Sequence, residues 1–226
     1  MIKDKRLGTM IRYAVPLFIV PALAVLGALM LDSSKHLLVS FTAAALSLLL
    51  FAVGFDKKKI GTRRMVICAV MTALAFAGRF IPFLNPITAM AVITGVYMGS
   101  EAGFLVGSLA ALLSNFYFGQ GPWTVFQMLA WGLIGFFAGV LAKPLKSSTP
   151  LLLIYGAVCG VAYSFIMDIW TVLWYNKGFS WGLYLSALAT AVSYTVSYAV
   201  SNVLFLFLLF KPFGVKLERV RKKYGI

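Results

Sequence analysis

The residues best suited to recognising a small molecule gather between Ser114 and Trp131. The run Ser114-Asn115-Phe116-Tyr117-Phe118-Gly119-Gln120-Gly121-Pro122-Trp123-Thr124 mixes amides, glycines and aromatic rings. Gly119 and Gly121 permit a tight connection, and Pro122 suits the first turn of a following helix. Beyond it, Trp123, Gln127 and Trp131 recur every four residues, so they form an aromatic–polar–aromatic stripe on one helical face. Turn and cap geometry explains the glycines and the proline, but not Gln127, one turn inside the helix between two indoles. Apolar walls with a few convergent polar groups are the usual form of a small-molecule site. Asn115, Gln120, Trp123, Gln127 and Trp131 are therefore read as ligand-facing.

Two charged residues extend the inventory. Asp168 is the one acid well inside an apolar stretch, where such a group is costly and marks a pathway or a paired site. Arg79 falls at similar depth, so the two are expected either to pair or to contact the ligand. Trp170 belongs with them because it lies deeper than the headgroup level. Catalytic chemistry is harder to assemble. His36 is the single histidine, Cys68 and Cys159 stand alone in apolar runs, and the 6 acids are scattered. That leaves no metal site, no serine–histidine pair and no acidic cluster for a magnesium-bound diphosphate. The expectation is a binding protein, with no enzyme activity, metal or cofactor of its own.

The elements that must position these groups are membrane helices. Of the 226 residues, 62% are hydrophobic and 12% charged, against roughly 45–50% and 25% in soluble chains. Spans are expected at about 11–31, 37–54, 65–81, 86–100, 102–118, 122–142, 150–174 and 181–210, against the ~20 residues a bilayer requires, and the fourth is short. Eight spans leave no room for a sizeable soluble domain, so any ATPase must be a separate chain. The net charge of +14 is explained first by orientation. Basic residues crowd the N-terminal tail, the loop Asp56–Arg64, the sixth loop (Lys143, Lys146) and the C-terminal tail. Only Lys35, Arg79 and Lys177 fall on the other side, which places both termini in the cytoplasm of a plasma-membrane protein. The basic charge then gives no reason to invoke nucleic acid.

The tryptophans share this asymmetry. Trp123, Trp131, Trp170, Trp174 and Trp181 all lie in the outer halves of the last three spans. An interfacial belt accounts for Trp174 and Trp181, but a belt decorates both interfaces. The remainder favours a site open to the outside. Ser193, Tyr194, Ser197, Tyr198, Ser201 and Asn202 add a polar face to the final span. The basic loop divides the chain into a two-helix accessory hairpin over residues 1–60, with Pro16 and Pro21 in its first helix, and a six-helix core over 61–226. Small residues repeat at helical spacing at Ala69, Ala73 and Ala77, at Gly103, Gly107 and Ala111, at Gly135 and Gly139, and at Gly156, Gly160 and Ser164. Such rows let membrane helices approach closely, within the protein or against a separate subunit.

The core resembles the substrate-binding (S) component of energy-coupling factor (ECF) vitamin transporters. The resemblance rests on the alanine row of the opening helix, the Ser114–Thr124 stretch and the closing Lys216-Leu217-Glu218-Arg219-Val220-Arg221-Lys222-Lys223-Tyr224-Gly225 tail. It implies an all-α membrane fold of about eight transmembrane helices, an N-terminal hairpin added to a six-helix S-component-like core. It also implies capture of a vitamin from outside, with Arg79, Asn115, Gln120, Trp123, Gln127, Trp131, Asp168 and Trp170 lining the site. Delivery is then by toppling, with a membrane coupling protein (T component) and two cytoplasmic ATPases as partners. Ala69, Ala73 and Ala77 become the docking face for the coupling protein. The Gly-Gln-Gly-Pro-Trp stretch is similar to cobalamin-associated members, which makes cobalamin the expected vitamin. The alternative is an ion-coupled secondary transporter, which would normally show repeats and midplane ionisable residues.

Overall fold

The computed structural model describes residues 5–30, 36–53, 58–82 and 84–225. Within them the chain is helical, with no strand. Lys3, Lys35, Asp56 and Lys57, which enter the charge argument, lie outside the described residues. The helices are α1 (Lys5–Ala14), α2 (Val20–Met30), α3 (His36–Val53), α4 (Lys58–Gly78), α5 (Ile87–Met98), α6 (Ser100–Phe118), α7 (Thr124–Val140), α8 (Ala142–Ser147), α9 (Thr149–Asn176), α10 (Trp181–Thr190) and α11 (Val192–Tyr224). Met10–Leu29, Ser100–Phe118, Thr149–Asn176 and Val192–Tyr224 are long and apolar enough to cross a membrane, and Leu38–Leu50, Ile87–Met98 and Thr124–Val140 are shorter apolar helices. With α4 these make up the expected eight-segment bundle.

Local sequence explains several departures from plain hydropathy. Between α1 and α2 the residues Val15–Ile19 form a π-helical turn that includes Pro16. The Val20 amide reaches back to the Val15 carbonyl, so the chain absorbs a residue with no N–H by widening its register. Ser148 caps α9 by accepting from the Leu151 amide at 3.3 Å, with Pro150 in the first turn. The eighth segment differs from expectation. It breaks at Ala191 into α10 and α11, and α11 runs on through the basic tail to Tyr224.

The centre of the bundle is α5, α6 and α7. α5 is short for a membrane span, and all its residues except Tyr97 are buried, so neighbouring helices rather than lipid surround it. Three of the small-residue rows are used here and at α9–α11. A side chain on Gly103 would strike the Gly135 backbone, and one on Gly107 would strike Trp131 and Gly132. Gly139 meets Ser100 in the same way, while Gly156 and Gly160 admit Leu206 and Ala199 of α11. Backbone-to-backbone approach of this kind replaces the hydrophobic drive that helices lack in lipid. Gly135→Val should therefore lower the melting temperature in detergent by roughly 5–10 °C, the scale of overpacking. An unchanged melting curve would contradict the crossing.

The alanine row behaves differently. Cys68, Met71, Thr72 and Ala75 turn inward from α4, whereas Ala69, Ala73 and Ala77 are exposed. Val66 and Val70 flank them and are 61% and 52% exposed. One face of α4 is thus smooth, apolar and uncovered.

The two ends of the bundle are chemically distinct. At the basic end, Arg12 of α1 pairs with Glu101 in the first turn of α6, a carboxylate that is 2% exposed. Arg64 donates to the Met98 carbonyl at 2.5 Å. Lys146 bridges to Glu218 at 3.4 Å and lies 4.1 Å above the Tyr97 ring, and Arg63 donates to the Tyr224 carbonyl at 2.9 Å. These contacts hold the C-terminal stretch of α11 against the starts and ends of other helices. α1–α3 join the bundle through Arg12, through Tyr13 against Phe136 and through Phe41 against Phe116.

Candidate ligand-binding site

The opposite end carries the tryptophans and a connected polar cluster. α4 ends at Gly78, and Arg79 follows in the turn, its guanidinium directed at the last turn of α6. Arg79 Nη1 donates to Ser114 Oγ at 2.6 Å and to Asn115 Oδ1 at 2.8 Å. Asn115 Nδ2 in turn donates to Thr124 Oγ1 at 2.9 Å and to Gln127 Oε1 at 2.7 Å. Gln127 Nε2 donates to the Tyr163 hydroxyl of α9 at 3.2 Å. One hydrogen-bonded path therefore links α4, α6, α7 and α9.

The connection between α6 and α7 is built to hold this path in place. Gly119 has φ of 110°, a conformation that L side chains rarely adopt, and it turns the chain immediately after α6. Gln120 Nε2 then donates back to the Leu112 carbonyl at 2.9 Å, while its Oε1 accepts from Thr124 at 2.9 Å. The Gly121 amide also reaches the Thr124 hydroxyl, at 3.3 Å. Gln120 thus serves as a strut behind the cluster, and Thr124 is the hub.

Aromatic rings enclose the polar groups. Trp131, 2% exposed, stacks on Tyr163 with ring centroids 4.6 Å apart and planes at 20°. Tyr163 meets Tyr198 of α11 edge-on at 4.8 Å. Trp123 meets Trp170 at 5.9 Å, also edge-on. Above Arg79, Phe118 lies 4.6 Å from the guanidinium, and Phe80, Tyr117 and Phe118 pack on one another at the surface. The Arg79 charge is met by neutral oxygens and ring faces, with no carboxylate paired to it among the described residues. Such a cation retains an affinity for carbonyl or anionic oxygens of a ligand.

The structure thus brings Arg79, Asn115, Gln120, Gln127 and Trp131 into one cluster, with Trp123 and Trp170 touching beside it. Of the two readings of Arg79 and Asp168, the ion pair is not formed among the described residues. Asp168 and Trp170 are two residues apart, which points them to nearly opposite faces of α9. Trp170 Nε1 and Asp168 Oδ2 are buried without hydrogen-bond partners. Ser114, Thr124 and Tyr163 are members of the network that were not singled out from the sequence. Thr124 and Ser114 bound the run that drew notice. Tyr163, by contrast, sits between Gly160 and Ser164 with nothing but a polar hydroxyl in an apolar helix to mark it. Ser193, Tyr194 and Ser197, expected on an inward polar face, are exposed, whereas Ser201 and Asn202 are buried.

Among known protein families, the model described as ECF-type riboflavin transporter, S component, matches residues 59–211. The match begins at the start of α4 and leaves α1–α3 outside it. No curated protein and no solved structure matches the chain.

Proposed function

The chain belongs to the S-component family of ECF-type riboflavin transporters, and on that premise we propose that it is the membrane subunit that captures a flat, heteroaromatic vitamin for an ATP-driven importer. It is a multi-pass membrane protein and a transport subunit rather than an enzyme. The observation that carries the substrate reading is the Trp131–Tyr163 stack beside the Arg79–Asn115–Gln127 path. Near-parallel rings offer a surface for another flat ring, and amides plus a guanidinium offer partners for its carbonyl and imide edge. Riboflavin has this shape and is the vitamin in the family's description. Cobalamin, favoured by the Gly-Gln-Gly-Pro-Trp resemblance, is a bulky corrinoid with peripheral amides, and the close-packed cluster suits it less well.

In this reading Arg79, Asn115, Gln127, Trp131, Trp123 and Trp170 face the vitamin, and Gln120 braces them. The tryptophan end faces outward and both termini are cytoplasmic, as the basic end suggests. A coupling protein docks on Ala69, Ala73 and Ala77, and two cytoplasmic ATPases supply the energy. The uncovered state of that row supports this, since the other small-residue rows are consumed by internal packing.

The test is equilibrium binding by the purified protein to riboflavin, cobalamin, folate and pantothenate. Riboflavin is expected to bind with micromolar or tighter affinity, with its fluorescence quenched by ring stacking. Binding of another vitamin with none of riboflavin would replace the substrate assignment. Uptake into vesicles driven by an ion gradient, without ATPases, would overturn the importer reading.

A further inference from the structure

Asp168 lies apart from the vitamin cluster, on the side of α9 that α10 covers. On the same face, one turn earlier, the Ser164 hydroxyl meets Thr195 of α11 at 2.6 Å. Tyr184 of α10 donates to the Phe165 carbonyl at 3.4 Å, about one turn before Asp168. Further along α9 on this side, Val161, Val158 and Ile154 are exposed. Both α10, a helix with no buried residue of its own, and the start of α11 thus meet α9 one turn before Asp168.

This carboxyl group is 8% exposed, and its Oδ2 has no hydrogen-bond partner. The basic residues described at this end are engaged elsewhere. Arg79 bonds Ser114 and Asn115, and Lys177 lies 4.3 Å over the Trp174 ring. The ion pairs found among the described residues, Arg12–Glu101 and Lys146–Glu218, do not include Asp168. An ionisable group inside a membrane span is expensive and normally has a partner. No basic group among the described residues is paired with Asp168.

We propose that Asp168 anchors a site for a monovalent cation between α9 and α10, separate from the vitamin cluster. The occupant is either an alkali-metal ion or an ammonium group, for both of which one carboxylate supplies the charge. Ser164, Thr195 and Tyr184 provide neutral hydroxyl oxygens on the same side. α10 acts as the cover that keeps this charge out of lipid.

The test is thermal melting of the purified full-length protein in sodium, lithium, potassium or methylammonium chloride, at constant pH and ionic strength, against choline chloride. Saturable stabilisation of the wild type by at least about 3 °C is expected. An alkali ion alone or methylammonium alone giving the effect identifies the source. Asp168→Asn should abolish the response and Asp168→Glu should retain it. Equal melting in every salt would overturn the site, and so would an undiminished response in Asp168→Asn. Stabilisation by acid alone, independent of the cation, would also overturn it, because the group would then be a neutral carboxylic acid. The wild-type arm decides even where a variant does not fold.

Discussion

Protein carrying both Trp131→Ala and Gln127→Ala should lose at least about 100-fold in vitamin affinity, equivalent to roughly 2.7 kcal/mol. Ring stacking contributes about 0.5–1.5 kcal/mol beyond burial. Losing Gln127 also strands one Asn115 donor and the Tyr163 hydroxyl, at about 1–3 kcal/mol for each buried group left unpaired. The two effects fall on the same pocket and exceed what either substitution would do alone. Because Trp131 is also part of the core, the double variant must first be shown to elute and melt as a folded protein. Trp131→Phe serves as the control, since a smaller ring keeps a stacking face and should retain most of the affinity. Undiminished binding by a folded double variant would remove the stripe from the site.

The second large effect separates binding from transport. Ala73→Trp should leave vitamin affinity within about twofold while reducing cellular uptake at least about tenfold, a loss of roughly 1.4 kcal/mol or more at the docking contact. The side chain is exposed and points away from Cys68, Met71 and Ala75, so an indole there has no internal neighbour to displace. It would hold any partner helix away from the smooth face that the alanine row creates. Co-purification with the coupling protein and ATPases proposed above should fall in parallel. Normal uptake by this variant would remove the alanine row as the proposed docking face.

The site and the helices were legible to different degrees. Asn115, Gln120 and Gln127 are legible because amides are rare in apolar spans, and Gln127 also because it shares a helical face with Trp123 and Trp131. Their actual partners were not visible, because Thr124 and Tyr163 are ordinary residues whose importance lies in which helix faces which. Depth along a helix follows from counting residues, and by that measure Arg79 and Asp168 looked matched. Rotation about the axis decides contact, and it sets Asp168 on the Ser164 face of α9 while Arg79 reaches α6. Glu101 was overlooked for a similar reason. At the first turn of a span it reads as a loop acid, and only the fold reveals Arg12 beside it. The break at Ala191 left no hydropathy signal, since both sides are apolar and neither glycine nor proline marks the junction.

At 1.5 Å per residue the 33 residues of α11 extend about 50 Å, against a hydrocarbon thickness of about 30 Å. The surplus must stand clear of the bilayer, and the part that can do so is the stretch holding Lys211, Lys216, Arg219, Lys222 and Lys223. Clasped at Glu218 and Tyr224, it is a braced helix rather than a loose tail. Its charge is carried on an ordered helix, so an approaching acidic surface would meet an oriented landmark instead of a diffuse cloud.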